Sequence, residues 1–318
     1  MNKNKFSTPA IYSTKMKELL RANDGARRLK SIHFSPSSQE DIEYVAEIQV
    51  FNRELYNPNS QTTVANGVLD RRLGTSDKSA VCETCGGKLA DCAGHFGFIK
   101  LELPVFNIGF FKAILHALQC LCKSCAKVMI PEGEERTAML RKLRSGRMES
   151  LQKATLIKSV YDKCRKVTKC PWCGAGNGIV KKVGIMKVVH ERYRTNTGKS
   201  KSELIDEGEL FRSSLSNALS VNQELKLHIN KAQDDITPLR ALELFKRASE
   251  EDCELLGLEV PECKLENYLW TSIPVPPSCI RPSVQMTLEG GSNEDDLTIK
   301  LSEIVYTNLI IRDALEKG

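Results

Sequence analysis

Three cysteines and a histidine fall within fourteen positions of VCETCGGKLADCAGHFGFIKLELP, residues 81–104. Cys82, Cys85, Cys92 and His95 form the pattern C-x2-C-x6-C-x2-H. Two residues between ligands allow a tight turn to aim both at one ion, and Gly86 and Gly87 supply the turn. Zinc takes four such ligands tetrahedrally, and a shell filled by four side chains leaves no position for water or substrate, so the spacing predicts a structural site. The stretch after it, FGFIKLELPVF, has the pattern of a strand.

A second group follows. Cys122 and Cys125 make one knuckle, and Cys170 and Cys173, after 44 intervening residues, make another, in a zinc-ribbon arrangement around a long basic insertion. Cys120 and Cys164 compete for a ligand position. Cys170 is preferred over Cys164, because paired knuckles converge without an extra loop. The pair in CPWC would suit a redox dithiol only in a βαβ setting, which the surrounding basic and glycine-rich sequence does not provide. A zinc deaminase needs H-x-E, whereas Glu191 follows His190 directly. His33, His116 and His228 stand alone, and Cys253, Cys263 and Cys279 read as core thiols. No phosphate-binding glycine loop or hydrolase motif occurs.

Twelve cysteines in a chain with no apolar N-terminal stretch point to a reducing compartment and to metal ligands rather than disulfides. No run approaches the ~18 apolar residues of a membrane span. A hydrophobic share of 41% in 318 residues is enough for a substantial core. Charge is uneven. Residues 141–200 hold sixteen Lys and Arg against three Asp and Glu, or +13, which leaves −7 for the rest of a chain whose total is +6. A basic segment on an acidic body predicts a polyanion-facing surface, with Arg165, Lys166, Lys181 and Lys182 as candidate contacts.

The remaining pattern is mixed. Residues 1–30 read as a poorly ordered leader with a short helix near Lys15–Arg21. A helix capped by Ser38 runs through Ile42, Val45, Ala46 and Gln49, and residues 57–67 read as loop. Further helices are expected over IGFFKAILHALQCL, over SLQKATLIKSVYDKC, from residue 208, after Thr237–Pro238, after Ser249 (a capping box with Asp252), and at the C-terminus. GIVKKVGIMKVVHERY reads as a hairpin and residues 194–208 as an exposed loop. Pro274, Pro276, Pro277 and Pro282 impose an extended connector.

GVLDRRLGTSDKSAVCETCGGKLADCAGHFGFIKLELPVFNIGFF resembles the N-terminal zinc motif of the largest subunit of multisubunit RNA polymerases. LCKSC, CPWCGAGNG, LFKR, VPPSCIRPSV and NEDDLTIKL follow in that family's order. The match runs from about Ser31 to the end and is closest to eukaryotic RNA polymerase III. The resemblance implies an α+β fold: an irregular multi-helix clamp core with short strands and two structural zinc modules, at 82–95 and 122–173, within a domain spanning 31–318. It implies a mobile clamp that closes on DNA and the RNA–DNA hybrid, working in the nucleus with the second-largest and other polymerase subunits, and no membrane. The family's magnesium-holding Asp-x-Asp-x-Asp loop has no counterpart here; Asp295 and Asp296 read as cap and dipole partners of a helix. Magnesium therefore belongs to the full-length enzyme, the chain reads as a truncated or split piece, and alone it should be inactive. The alternative is a stand-alone zinc-dependent nucleic-acid-binding or regulatory protein built on the clamp fold.

Overall fold

The computed structural model describes residues 29, 32, 34–60, 62–146, 148–193, 202–228, 233–260, 263–285 and 292–318, with backbone alone for 202–207, 227, 228 and 285. The leader helix near Lys15–Arg21, His33 and most of the 194–208 loop lie outside them.

Local sequence signals set many of the elements. Ser38 caps α1 (Gln39–Val45), accepting from the Asp41 N–H while the Asp41 side chain accepts from the Ser38 N–H. The helix ends at Val45, four residues earlier than its spacing predicts. Ile48–Gln49 instead forms β1, pairing in parallel with Gly97–Phe98. A ladder with a strand fifty residues away outweighs helical periodicity here, and it leaves Tyr44 and Val45 exposed. The expected strand is β2 (Gly97–Phe106), and the helix after it is α2 (Phe111–Cys120), which buries Phe111, Ile114, Ala117 and Leu118.

Within the long insertion lies α3 (Glu134–Arg144), which hydrophobic spacing did not reveal: it buries only Arg136, Met139 and Leu140. Next come α4 (Ser150–Cys164) and the predicted hairpin, β3 (Ile179–Val183) with β4 (Lys187–Glu191). The helix α5 (Ser202–Val221) begins at Ser202, so residues 202–208, read from sequence as loop, are helical. A short α6 (Leu225–His228) leads to β5 (Gln233–Asp235), which adds to β4. Thr237 caps α7 (Pro238–Arg247) with proline in its first turn, and Ser249 caps α8 (Glu250–Leu255), accepting from the Asp252 N–H.

The chain then returns as β6 (Leu269–Val275), antiparallel to β2, so the first sheet has the order β1-β2-β6. The proline-rich connector is extended as far as Pro277 and then makes one 3-10 turn, Ser278–Ile280. A two-stranded ribbon, β7 (Val284–Gln285) with β8 (Ser292–Asn293), precedes the last helix, α9 (Asp296–Lys317), capped by Asp295. Among the described residues, mixed helices and short strands with no closed barrel make this an α+β fold, as expected.

The chain forms two units, residues 1–35 and 36–318. Of the first unit, the described Leu29, Ile32 and Phe34 are exposed. The second unit holds two cores. The larger joins α2, α4, α7 and α8 to the second cysteine group; the smaller packs Ile48, Val50, Val68, Leu73, Ile99 and Val275 under Leu301 and Val305 of α9. The β2–β6 ladder breaks between Lys100 and Val105, and Asn308 of α9 compensates. Its amide donates to the Lys100 carbonyl at 3.0 Å and accepts from the Glu102 N–H at 2.9 Å. Arg281, fully buried, donates to the carbonyls of Val68 at 2.6 Å and Pro276 at 3.0 Å and to Thr298 Oγ1 at 3.1 Å, tying the connector to α9. No helix among the described residues is long and apolar enough to cross a membrane.

Candidate metal centres

Three pieces of chain around the cysteines share one local fold. In each, the first cysteine's N–H donates five residues ahead (Cys82 to Gly87, Cys122 to Lys127, Cys170 to Ala175) and its carbonyl accepts from the residue four ahead. An isolated bridge closes each turn: Val81 with Lys88, Leu121 with Val128, Lys169 with Gly176. The fourth residue after the cysteine takes a left-handed backbone, at φ 71° for Gly86, 71° for Gly174 and 61° for Ala126. This turn is what a two-residue spacing achieves: it brings the two sulfurs of C-x2-C to one side. Cys92 and His95 are held differently, by Lys88, whose carbonyl accepts from the Cys92 N–H, and by the Leu73 carbonyl, which accepts from His95.

The ligand atoms of Cys82, Cys85, Cys92 and His95 lie within 4.8 Å of one another, as do those of Cys122, Cys125, Cys170 and Cys173. In the second group Cys122 Sγ is 3.6 Å from Cys173 Sγ, and Cys125 Sγ is 3.7 Å from Cys170 Sγ. A tetrahedron with Zn–S near 2.3 Å has an edge of about 3.8 Å, whereas a disulfide is near 2.05 Å. In the first group His95 Nε2 is buried with no hydrogen-bond partner, while Nδ1 faces Glu47 at 3.9 Å. A lone pair left unused beside three thiols is the arrangement a metal-ligating imidazole requires, and a carboxylate on the other nitrogen would fix its orientation. Both donor sets therefore fit a soft tetrahedral ion.

Proton chemistry agrees. Burial pushes the thiols of Cys92 and Cys125 up to about 11 and about 12. Burial also opposes ionisation of Cys122, but the N–H groups of Cys125 and Ser124 outweigh it and bring that thiol down to about 7. Cys92 and Cys125 therefore hold their protons without an ion, and metal binding must displace them. Cys120 and Cys164 lie outside the second cluster, fully buried; burial and each other's proximity hold the Cys120 thiol well above the ordinary range. Cys253 and Cys263 are buried in the larger core, whereas Cys279 is half-buried beside the first cluster, with Sγ 3.7 Å from the Ala93 carbonyl.

The second cluster is also tied without metal. Trp172 Nε1 donates to the Val128 carbonyl at 2.8 Å, joining the two knuckles, and the Lys127 ammonium lies 4.4 Å over the Trp172 ring. Lys123 donates to Asn177 at 3.0 Å, and burial lowers its pKa to about 8 against the pull of the surrounding thiols.

The basic segment is less available than its composition indicates. Lys153 pairs with Glu259 at 3.0 Å, Arg144 with Glu254 at 2.6 Å, Lys187 with Asp235 at 2.7 Å, Arg192 with Asp234 at 2.5 Å, and Lys163 with Glu135. All five carboxylates come from the acidic remainder. Of the four candidate contacts, Lys181 is engaged by Glu191 at 2.6 Å. Lys182 is exposed with its ammonium 5.2 Å over Phe111, and Arg165 and Lys166 are exposed just past the end of α4.

Two four-ligand clusters that could each hold a metal ion, set in an irregular α+β domain, define a class that comparison identifies. The chain belongs to the family described as RNA polymerase Rpb1, domain 1, which matches residues 26–318. It is 44% identical over 95% of its length to "DNA-directed RNA polymerase III subunit rpc1" of Dictyostelium discoideum. It is 43% identical over 92% to the protein of that name in Schizosaccharomyces pombe, and 42% identical over 93% to "DNA-directed RNA polymerase III subunit RPC1" of Homo sapiens. The chain spans about a fifth of the length of these relatives, 20–21%.

Proposed function

We propose that this chain is the clamp portion of an RNA polymerase III largest subunit, binding DNA and the RNA–DNA hybrid within the assembled enzyme. The observation that carries this is the match to the Rpb1 domain over residues 26–318 together with two complete four-ligand clusters inside it. Zinc is the ion these donors suit, one held by Cys82, Cys85, Cys92 and His95 and one by Cys122, Cys125, Cys170 and Cys173. Both shells are filled by protein, so each ion supplies folding energy and none supplies catalysis. Phosphoryl transfer needs carboxylates to hold magnesium. Asp295, the best placed by sequence, accepts from the Leu297 N–H at 3.1 Å as a helix cap. Catalysis then belongs to the remainder of a full-length subunit, with the second-largest subunit as partner and the nucleus as location.

The zinc-loaded chain should bind duplex DNA and RNA–DNA hybrid weakly, with little regard to sequence and with affinity falling steeply in salt. It should give no primer extension with template, nucleotides and magnesium. A sequence-specific footprint that survives high salt, or extension lost on mutating a carboxylate of this chain, overturns the reading.

A further inference from the structure

Ala93 and Gly94 lie between two ligands of the first cluster, Cys92 and His95, and they are also where that loop touches the proline connector. The Cys279 thiol donates to the Ala93 carbonyl at 3.7 Å, and a Cβ on Gly94 would lie 2.4 Å from Pro277 Cβ. An ion that binds Cys92 and His95 pins this dipeptide at both ends. The loop is tied on its other side as well. Thr84 Oγ1 donates to the Arg72 carbonyl at 2.7 Å and the His95 N–H to the Leu73 carbonyl at 3.2 Å, and Leu73 is fully buried in the smaller core under α9.

The connector is held in this position rather than at rest in it. Ser278 Oγ is buried with no hydrogen-bond partner, so the hydroxyl gains water by moving out. What keeps it in place continues into α9 through Arg281. The three hydrogen bonds of that buried guanidinium reach Val68 just ahead of the 3-10 turn Arg71–Leu73, Pro276 in the connector and Thr298 in the first turn of α9. A charge buried on neutral acceptors does not tolerate a partial shift, since each acceptor that leaves strands a donor in the core. The connector and the start of α9 therefore stay together or part together.

We infer that the first metal site is a latch on the connector. With its ion bound, the loop from Cys92 to His95 holds the connector down; without the ion the connector lifts, Cys279 is exposed and the first turn of α9 loses its tie to Arg281. This rests on the assignment of zinc to Cys82, Cys85, Cys92 and His95, and it adds what that ion governs beyond its own loop. The second ion has no such reach, because its ligands belong to the larger core and α9 packs on the smaller one.

The test uses the whole zinc-loaded chain, labelled with iodoacetamide under native conditions and read peptide by peptide, with hydrogen exchange of α9 in parallel. Cys85→Ser, which removes a ligand of the first ion, should speed Cys279 labelling and amide exchange over residues 299–302 each about tenfold. Cys170→Ser, which releases the second ion, should change either rate by less than about twofold. Adding Ser278→Ala to Cys85→Ser should bring Cys279 labelling back toward the wild-type rate, because the connector then has no hydroxyl to hydrate. A loop that had merely unfolded would show no such rescue. If the wild-type chain binds no zinc at the first cluster, the metal assignment itself fails. If it binds two zinc ions and Cys85→Ser labels Cys279 no faster than wild type, or Cys170→Ser labels it equally fast, the latch is wrong while the assignment stands. Faster labelling with unchanged exchange in α9 overturns the coupling to that helix.

Discussion

The two cysteine groups use the same turn to different ends. The first closes within fourteen residues, from Cys82 to His95, and lies beside the smaller core. The second spans residues 122–173, and its Cys122 and Cys170 are members of the larger core, with Cys120 and Cys164 packed in that core as well. One is a local staple on a surface loop. The other is a clasp that brings a helical insertion back on itself. Two histidines, His95 half-buried and His190 buried, differ in parallel. His95 and His190 each have a buried Nε2 with no hydrogen-bond partner. For His95 the neighbouring thiols account for it, whereas His190 sits in β4, outside either cluster.

The largest difference should appear on removing one ligand from each group. Closing a 52-residue loop costs about 1 kcal/mol more chain entropy than closing one of fourteen, and the larger core loses its clasp besides. Cys170→Ser should therefore cut bound zinc from two to one and abolish cooperative urea unfolding of the insertion. Cys85→Ser should also leave one zinc but keep that transition. Cys164→Ser should keep two zinc ions, since this thiol lies outside the cluster. A zinc count lowered by Cys164→Ser and kept by Cys170→Ser would reverse the ligand assignment.

A smaller effect should isolate the first group. Gly94 has φ 86°, and a Cβ there would lie 2.4 Å from Pro277 Cβ and 2.9 Å from Cys279 Sγ. The proline connector is thus pressed directly on the first metal loop, and Arg281 holds the connector in place. Gly94→Ala should cost about 3 kcal/mol in urea unfolding, through left-handed strain and overpacking, while the second zinc stays bound. A cost under about 1 kcal/mol would mean that the first loop rests on its metal alone and not on the connector.

The smallest effect concerns acid. Burial first, then Lys123, Arg192 and Arg240, hold His190 down to about 4 against the pull of Asp234. Its folded pKa is below the unfolded value near 6.5, so the folded state excludes a proton that the unfolded chain takes up. Stability is full above that unfolded value and is lost as pH falls toward 4. Between about pH 7.5 and about pH 5 the loss should be about 2 kcal/mol. His190→Gln should remove that slope, leaving only the acid release of metal that both proteins share. Equal slopes in the two proteins would show that His190 already has a polar partner in the fold.

Much of this was readable from short stretches of chain. The ligand spacings, the caps at Ser38, Thr237 and Asp295, and the helices at Phe111–Cys120 and Ser150–Cys164 depend on residues within a few positions of each other. Backbone turns and side-chain caps act over that same range. What sequence could not settle depended on partners far along the chain. Ile48–Gln49 becomes a strand because Gly97–Phe98 offers it a ladder, and α3 is recognisable only once Arg136 meets Asp252 at 3.0 Å. Charge is the clearest case. The excess of +13 over residues 141–200 is a fact of sequence, but carboxylates at Glu135, Asp234, Asp235, Glu254 and Glu259 neutralise much of it. Composition fixes how many charges a segment carries. Only the packing of distant segments decides which of them remain free to act, because Coulomb attraction depends on distance in space and not along the chain.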